Sequence, residues 1–191
     1  MKHHIVEQNT TEWMALRAGK VTASEFKDCF SKETTQAFQN LIYKKRAEIR
    51  TGEIEESFTN EWMQRGHLLE PEARKEYELT NLVSVEDGGF WEYSEFIGAS
   101  PDGLVGEDGL LEIKCPKAST MERYMDENKL PSIYKWQIHG QMLCTGRQWV
   151  DFVVYHPMYE LFQLRIERDS KLIKELEEQL NYVIKKIKEK L

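Results

Sequence analysis

One short stretch holds the residue types that metal-dependent chemistry needs. It reads Gly98-Ala99-Ser100-Pro101-Asp102-Gly103-Leu104-Val105, then Leu110-Leu111-Glu112-Ile113-Lys114-Cys115-Pro116. Side chains alternate along a strand, so Leu111 and Ile113 share one face while Glu112 and Lys114 share the other. The apolar pair is expected to face the core, with Glu112 and Lys114 projecting together from the opposite face. Asp102 lies in a Pro-Asp-Gly turn one short hairpin upstream, which folds it back beside Glu112. Two carboxylates and an ammonium are what metal-assisted phosphodiester hydrolysis requires. Mg²⁺ takes oxygen ligands, polarises a phosphoryl group and lowers the pKa of water. An ammonium orients that water or stabilises the developing charge. Two carboxylates ~4 Å apart repel by roughly 4 kcal/mol at an effective dielectric near ~20, so a divalent ion or a shared proton makes such a cluster tolerable.

The Glu-x-Lys triplet alone says little. It recurs at Glu25-Phe26-Lys27 and Glu127-Asn128-Lys129, both in predicted helices, where it reads as solvated surface. The Glu112 triplet differs because it lies in an apolar strand and follows a turn-borne Asp. An exposed hairpin with an incidental Glu–Lys pair remains the other reading of the same letters. A third acid, Glu70, follows Leu69 at the edge of a helical apolar stripe. It is either a helix-surface acid or a further metal-shell carboxylate reaching from helix to sheet.

These residues need elements to position them. Thr11 caps a short predicted helix, and Thr22-Ala23-Ser24-Glu25 has capping-box spacing at the start of a second. Helical periods run from Thr35 to Arg50 and from about Asn60 to Leu79, the latter through Trp62, Met63, Leu69, Ala73 and Tyr77. Short β-like runs follow at 82–85, 90–93, 96–99 and 110–115, punctuated by Gly88-Gly89 and Glu107-Asp108-Gly109. Helices are expected at 120–128 and 132–145, and a hairpin at 149–155 and 159–166 around His156-Pro157. The tail from about Ser170 to Leu191 is amphipathic, with a stripe of Leu172, Ile173, Leu176, Leu180, Val183, Ile184, Ile187 and Leu191. The order is helices, a mostly antiparallel sheet, helix, strands, helix. It predicts an α+β or α/β fold with a central mixed sheet. No repeat or linker divides the chain, so residues 1–191 read as one domain, core about 11–166 plus the tail helix.

Composition narrows the function classes. The chain has 191 residues, 40% hydrophobic and 31% charged, which excludes the low-complexity classes. No apolar run approaches the ~18 residues of a membrane span, and the N-terminus lacks the apolar core of a signal peptide. Net charge is −7, from 33 acids and 26 bases. Taken alone, that argues against a general nucleic-acid coat protein. Cys29, Cys115 and Cys144 are too few and too scattered for a disulfide framework, a structural zinc site or a four-cysteine iron–sulfur cluster. They read as reduced thiols in the cytosol. Lys44-Lys45-Arg46 with Arg50 is either a phosphate track or the wet side of an amphipathic helix.

From Trp13 to Tyr155 the chain resembles the lambda-exonuclease/YqaJ-type phage recombinase nucleases of the restriction-endonuclease-like PD-(D/E)xK superfamily. Five blocks carry the resemblance, in the family's order. They are Trp13-Met14-Ala15-Leu16-Arg17 with Val21-Thr22-Ala23-Ser24; Gly66 to Arg74; Ser100 to Leu104; Leu111 to Pro116; and Tyr134-Lys135-Trp136-Gln137 through Gln141-Met142. The resemblance implies a restriction-endonuclease-like core. It implies catalytic Asp102, Glu112 and Lys114, with Gln137 positioning water or phosphate. It implies Mg²⁺ (with Mn²⁺ as substitute) on Glu70, Asp102, Glu112 and the Ile113 carbonyl, and a 5′-phosphate on Arg17 and Ser24. Tyr134, one helical turn before Gln137, is a site or packing residue. The family also implies a homotrimeric ring on duplex DNA, 5′→3′ degradation of one strand, and hand-off to a single-strand annealing protein. The setting would be the cytoplasm of a bacterial host, with the gene carried by a phage or prophage. One departure is plain: where the family places a second phosphate-binding arginine, this chain has Thr120 after Ser119, leaving Lys117 or Arg123 to substitute. An endonuclease or nickase on the same fold, and a non-catalytic DNA-binding module, are the competing readings.

Overall fold

Side-chain caps set three of the helix starts. The computed structural model describes residues 1–54 and 61–191, with side chains of the second segment described from Gln64 onward; the expected contributions of Asn60, Trp62 and Met63 lie outside that range. Helix α1 (Thr11–Arg17) is capped by Thr10, one residue before the expected Thr11, because the Thr10 hydroxyl accepts from the Trp13 amide at 3.3 Å. The box at Thr22 forms, with the Thr22 amide donating to Glu25 Oε2 at 3.0 Å. It opens only a 3₁₀ turn, Ala23–Glu25, which leads into the short α2 (Phe26–Cys29). Thr35 caps α3 (Gln36–Thr51), and Gly52 ends it in the left-handed region at φ 74°. Helix α4 (Glu61–Asn81) carries Pro71 inside and runs two residues past its expected end. Leu82 then turns the chain at φ 54°.

That overrun moves the first expected strand of this region downstream. Strand β3 is Val85–Asp87, after β1 (Lys2–His4) and β2 (Val21–Thr22); β4 (Phe90–Ser94), β5 (Ile97–Ala99), β6 (Gly103–Val105) and β7 (Gly109–Lys114) follow. Then come α5 (Ala118–Glu127), α6 (Lys135–Thr145), β8 (Trp149–Val154), β9 (Phe162–Glu167) and α7 (Ser170–Lys188), capped by Asp169. Strands β1, β2 and β6 have two or three residues each. Runs that short show no alternation to read.

The strands form two sheets rather than one, ordered β1-β4-β5-β2 and β3-β6-β7-β8-β9. The larger is mixed. β7 and β8 pair in parallel from Gly109↔Trp149 to Lys114↔Val154, joined by a crossover through α5 and α6. The sheet is mostly antiparallel, as expected, and this central pair is what makes it mixed. Both faces of β7 are covered. Leu111 and Ile113 pack with Val153 against Ala73 and Tyr77 of α4. Leu110, Phe152 and Val154 join Ile138 and Met142 of α6 and the α7 stripe in the larger cluster. Glu112 thus points into the α6 side rather than out from an open face.

The basic cluster is engaged largely within the fold, with only Lys45 fully buried and Arg50 at the surface. Lys45 is buried, and Lys44 and Lys45 pair with Glu25 and Glu48. Arg46 donates to the carbonyls of Ile187 and Lys186, and Arg50 to that of Lys190, at 3.0, 2.5 and 2.5 Å. These arginines cap the C-terminal end of α7.

His139 on α6 is buried, and its Nδ1 has no hydrogen-bond partner among the described residues. Burial pulls its pKa below the ordinary 6.5; nearby Asp169 opposes this, while Lys135 and Arg168 reinforce it. The folded state therefore prefers neutral imidazole. Its contribution to stability is complete above 6.5 and is lost as pH falls towards the depressed folded value. Thermal melts of wild type and His139→Gln from about pH 8 to about pH 5 are expected to converge as pH falls. A constant gap would remove His139 as the cause.

Candidate active site

Strand β6 leaves β7 early. Their last ladder pair is Gly103↔Leu111, and Gly103 fits because an added Cβ would stand 2.3 Å from Val85 Cγ1. Beyond it the Asp102 amide donates to the Leu111 carbonyl at 3.1 Å, and the Ile113 amide donates to Asp102 Oδ2 at 2.7 Å. A strand residue presents its N–H and C=O on the same edge. The Ile113 carbonyl therefore faces the same opening as Asp102. Burial, then Glu112, and Glu70 more weakly, push the Asp102 carboxyl well above its ordinary value, against Lys114 and the Ile113 amide.

Glu112 lies behind this edge and is 1% exposed. Gln137 Nε2 donates to its Oε1 and Gln141 Nε2 to its Oε2, both at 2.5 Å, and the Lys114 ammonium also donates to Oε1. The two glutamines are one helical turn apart, so α6 holds both carboxylate oxygens at once. Burial alone would lower the Lys114 pKa; Glu112 and Asp102 outweigh it and hold the side chain as an ammonium. Its Nζ sits 5.3 Å from the Tyr134 ring centroid. Burial pushes the Tyr134 phenol up to about 12, against the pull of Lys114, so it stays neutral. Tyr134 both packs on Phe152, with centroids 5.2 Å apart, and lines the opening.

Glu70 faces the same opening from α4, with His67 Nδ1 3.8 Å from its carboxylate. Burial raises the Glu70 pKa; His67 opposes this and Glu112 adds to it. Arg65 ties α4 to the end of β7 by donating to the Cys115 and Pro116 carbonyls at 3.3 and 3.2 Å. The opening is a cleft of about 540 Å³ that continues into a hollow of about 440 Å³. Gln8, His67, Glu70, Asp102 and Ile113 line both parts. The donors are hard oxygens that raise one another's pKa, which fits a divalent cation such as Mg²⁺ in kind. Among the described residues, no three His, Cys, Asp or Glu side chains converge on one point as a metal cage.

Arg17 and Ser24 meet at Thr22. Arg17 Nη2 donates to the Thr22 hydroxyl at 3.3 Å, and Ser24 Oγ lies 3.3 Å from that oxygen. Arg17 also reaches Ser100 Oγ at 3.5 Å, while Trp13 Nε1 donates to it at 2.8 Å. The Arg17 guanidinium stacks on Trp13 at 4.0 Å. Ser100 is two residues before Asp102, so the two clusters share one short segment.

Known proteins resemble this chain in sequence and in fold. Residues 12–148 match the model of the YqaJ-like viral recombinase domain, which is most of the chain. The chain belongs to the lambda-exonuclease/YqaJ family. An alkaline exonuclease from Laribacter hongkongensis, LHK-Exo, is 38% identical over 95% of this chain and 94% of its own, with a TM-score of 0.89. The structure of LHK-Exo in complex with dAMP matches equally well. A phage-related exonuclease from Haemophilus somnus 129PT shares the fold at 18% identity, covering 88% of this chain and 93% of its own, with a TM-score of 0.65. The fold is thus the restriction-endonuclease-like nuclease fold. No curated protein sequence matches the chain.

Within this YqaJ-like frame, the structure brings Asp102, Glu112, Lys114 and Gln137 together, with Glu70 and Ile113 on the same cleft. It also brings Arg17 and Ser24 together. Of the substitutes for the family's second arginine, Lys117 lines the cleft, whereas Arg123 lies over Tyr124 at 5.2 Å. Thr120 sits in the first turn of α5, its amide bonded to the Lys117 carbonyl. Sequence reasoning missed Gln141 and Gln8. Gln141 had one signal, a glutamine four residues after Gln137 and so on the same helix face. Gln8 had none: Gln8 Nε2 reaches the Pro101 carbonyl at 3.0 Å across 93 residues. Gln141→Leu removes a donor from a buried carboxylate and is expected to cost about 1.5–3 kcal/mol. Urea unfolding of the variant measures that loss; an unchanged midpoint would show that Glu112 does not depend on Gln141.

Proposed function

We propose that the protein is a Mg²⁺-dependent exonuclease that degrades the 5′-ended strand of linear double-stranded DNA, 5′→3′. Mn²⁺ is expected to substitute. The observation that carries this reading is the junction of Asp102, Glu112 and Lys114 at one end of β7, opening on a cleft, in a chain 38% identical to an alkaline exonuclease. Glu70, Asp102, Glu112 and the Ile113 carbonyl would hold the cation, which supplies a Lewis acid for the scissile phosphate. The chain's own groups do the rest. Lys114, kept charged by its acids, stabilises charge developing on phosphoryl oxygen or orients the attacking water. Gln137 fixes the Glu112 carboxylate rather than touching substrate directly. Arg17 and Ser24 receive the terminal 5′-phosphate, for which a guanidinium fork suits the geometry, and Lys117 adds a cation beside Lys114.

The wider reading is a phage-type recombination nuclease. It would work as a homotrimeric ring in a bacterial cytoplasm and pass its single-stranded product to a separate annealing protein. Digestion of end-labelled linear and covalently closed circular duplex separates the alternatives. The linear form with a 5′-phosphate is expected to yield mononucleotides and single strand, EDTA to stop the reaction, and the closed circle to survive. Cleavage of the circle would favour an endonuclease or nickase. An intact linear duplex in both Mg²⁺ and Mn²⁺ would favour a binding module. Lys114→Ala is expected to lower kcat by at least about 10²–10³-fold with the fold retained, as for loss of one transition-state donor.

A further inference from the structure

Behind Arg17 lies a set of buried charges that the reading above does not use. Glu48 is 1% exposed and Lys45 3%. Lys45 Nζ lies 2.9 Å from Glu48 Oε2 and 3.0 Å from Glu25 Oε2. Lys44 reaches the same two carboxylates at 3.1 Å (Glu25) and 3.8 Å (Glu48). Two acids and two ammoniums cancel. Arg17, in no ion pair among the described residues, is the charge left over.

The buried acids grip both ends of the turn that presents Arg17. Glu48 Oε2 accepts from the Gly19 amide at 3.1 Å, where the chain takes φ 73° and an added Cβ would meet Ile49 Cγ1 at 2.7 Å. Glu25 Oε2 accepts from both the amide and the hydroxyl of Thr22 at 3.0 Å. With its proton committed to Glu25, the Thr22 oxygen can only accept, and it accepts from Arg17. The relay Glu25–Thr22–Arg17 therefore fixes which way the guanidinium points, and Ser24 Oγ lies on the same oxygen. Buried ion pairs seldom repay their desolvation in stability, and apolar packing would serve that end as well. Apolar packing would not orient Arg17 or keep it charged. Glu25 and Glu48 both hold its charge against the pull of burial.

We propose that Glu25, acting through Thr22 and braced by Lys45 and Glu48, is the positioning residue that makes this protein distinguish 5′-phosphoryl from 5′-hydroxyl DNA ends. The proposal rests on the reading that Arg17 and Ser24 receive the 5′-phosphate.

The test uses the full chain on linear duplexes that differ only in the 5′ group, read as kcat/KM, with thermal melts alongside. Glu25→Met removes the acceptor at similar length; it is expected to stay folded but melt below wild type, because Lys44 and Lys45 lose a partner, and to cleave 5′-hydroxyl ends as wild type does. Its preference for 5′-phosphoryl ends should fall about tenfold or more, mainly through KM. A folded Glu25→Met with the wild-type preference overturns the proposal. Where Glu25→Met does not fold, Thr22→Val cuts the same relay with an isosteric side chain; a lost preference supports the proposal and a retained one overturns it. A wild-type protein that degrades both ends equally overturns the phosphate assignment and the proposal together. The Lys114→Ala comparison judges the nuclease reading separately.

Discussion

The Ile113 amide needs a hydrogen-bond acceptor, and much of the site follows from which one it finds. Strand β8 pairs with one edge of β7 along its whole length, while β6 pairs with the other only from Gly109 to Leu111. A buried N–H left bare costs about 1–3 kcal/mol. The Asp102 carboxylate fills the gap at 2.7 Å. An acid is thereby fixed by backbone geometry rather than by side-chain packing. The same edge turns the Ile113 carbonyl toward the cleft. Continuing upstream, Asp102 is tied through Pro101 and Ser100 to β5, and β5 pairs in parallel with β2 at Thr22↔Gly98. The Arg17–Thr22–Ser24 cluster is thus set at a fixed chain distance from Asp102 by sheet pairing. Anchoring one end of a substrate at a set distance from the reacting groups converts binding into orientation.

Some of this was legible in the residues and some was not, for physical reasons. Alternation along 110–115 correctly placed Glu112 and Lys114 on one face, and the Pro-Asp-Gly segment correctly returned Asp102 beside them. Alternation reports only which residues share a face. It does not say what covers that face, so the burial of Glu112 under α6 could not be read from it. The division into two sheets was hidden because β1 and β2 are held by long-range pairing, to β4 and β5, rather than by local pattern. The overrun of α4 follows from a left-handed Leu82, a residue type that gives no warning of that conformation. The Lys44-Lys45-Arg46 cluster looked like surface by composition alone. Only its neighbours across the fold, Glu25, Glu48 and the end of α7, show that its charges are already engaged.

A net charge of −7 on a protein read as acting on a polyanion has a spatial explanation. Several acids are internal and already matched. Asp151 is buried and held by Arg165 at 2.8 Å through both its oxygens, with the Tyr77 hydroxyl at 2.6 Å. Glu25 and Glu48 face Lys44 and Lys45, and Glu112 faces Lys114. Net charge therefore counts acids that a strand of DNA would never meet. What an approaching phosphate meets is local: Arg17 at one cluster, Lys114 and Lys117 at the other.

The three carboxylates of the site are constrained to different degrees, and the order has a consequence. Glu112 accepts from Lys114, Gln137 and Gln141 and is buried. Asp102 accepts from one backbone amide. Glu70, half-buried on α4, accepts no hydrogen bond among the described residues and has His67 Nδ1 at 3.8 Å, with Pro71 removing one N–H from the helix ladder beside it. A side chain with three donors on it cannot turn without leaving a buried charge unpaired, which is strongly unfavourable. Glu112 must then act as the fixed reference of the site. Among the described residues the fewest such restraints fall on Glu70 and then on the second oxygen of Asp102. The rigid acid lies on the central strand of the mixed sheet and the least restrained one on a covering helix. On the proposed reading, that arrangement would let the cleft accept a substrate while Glu112 keeps the tight tolerances catalysis demands.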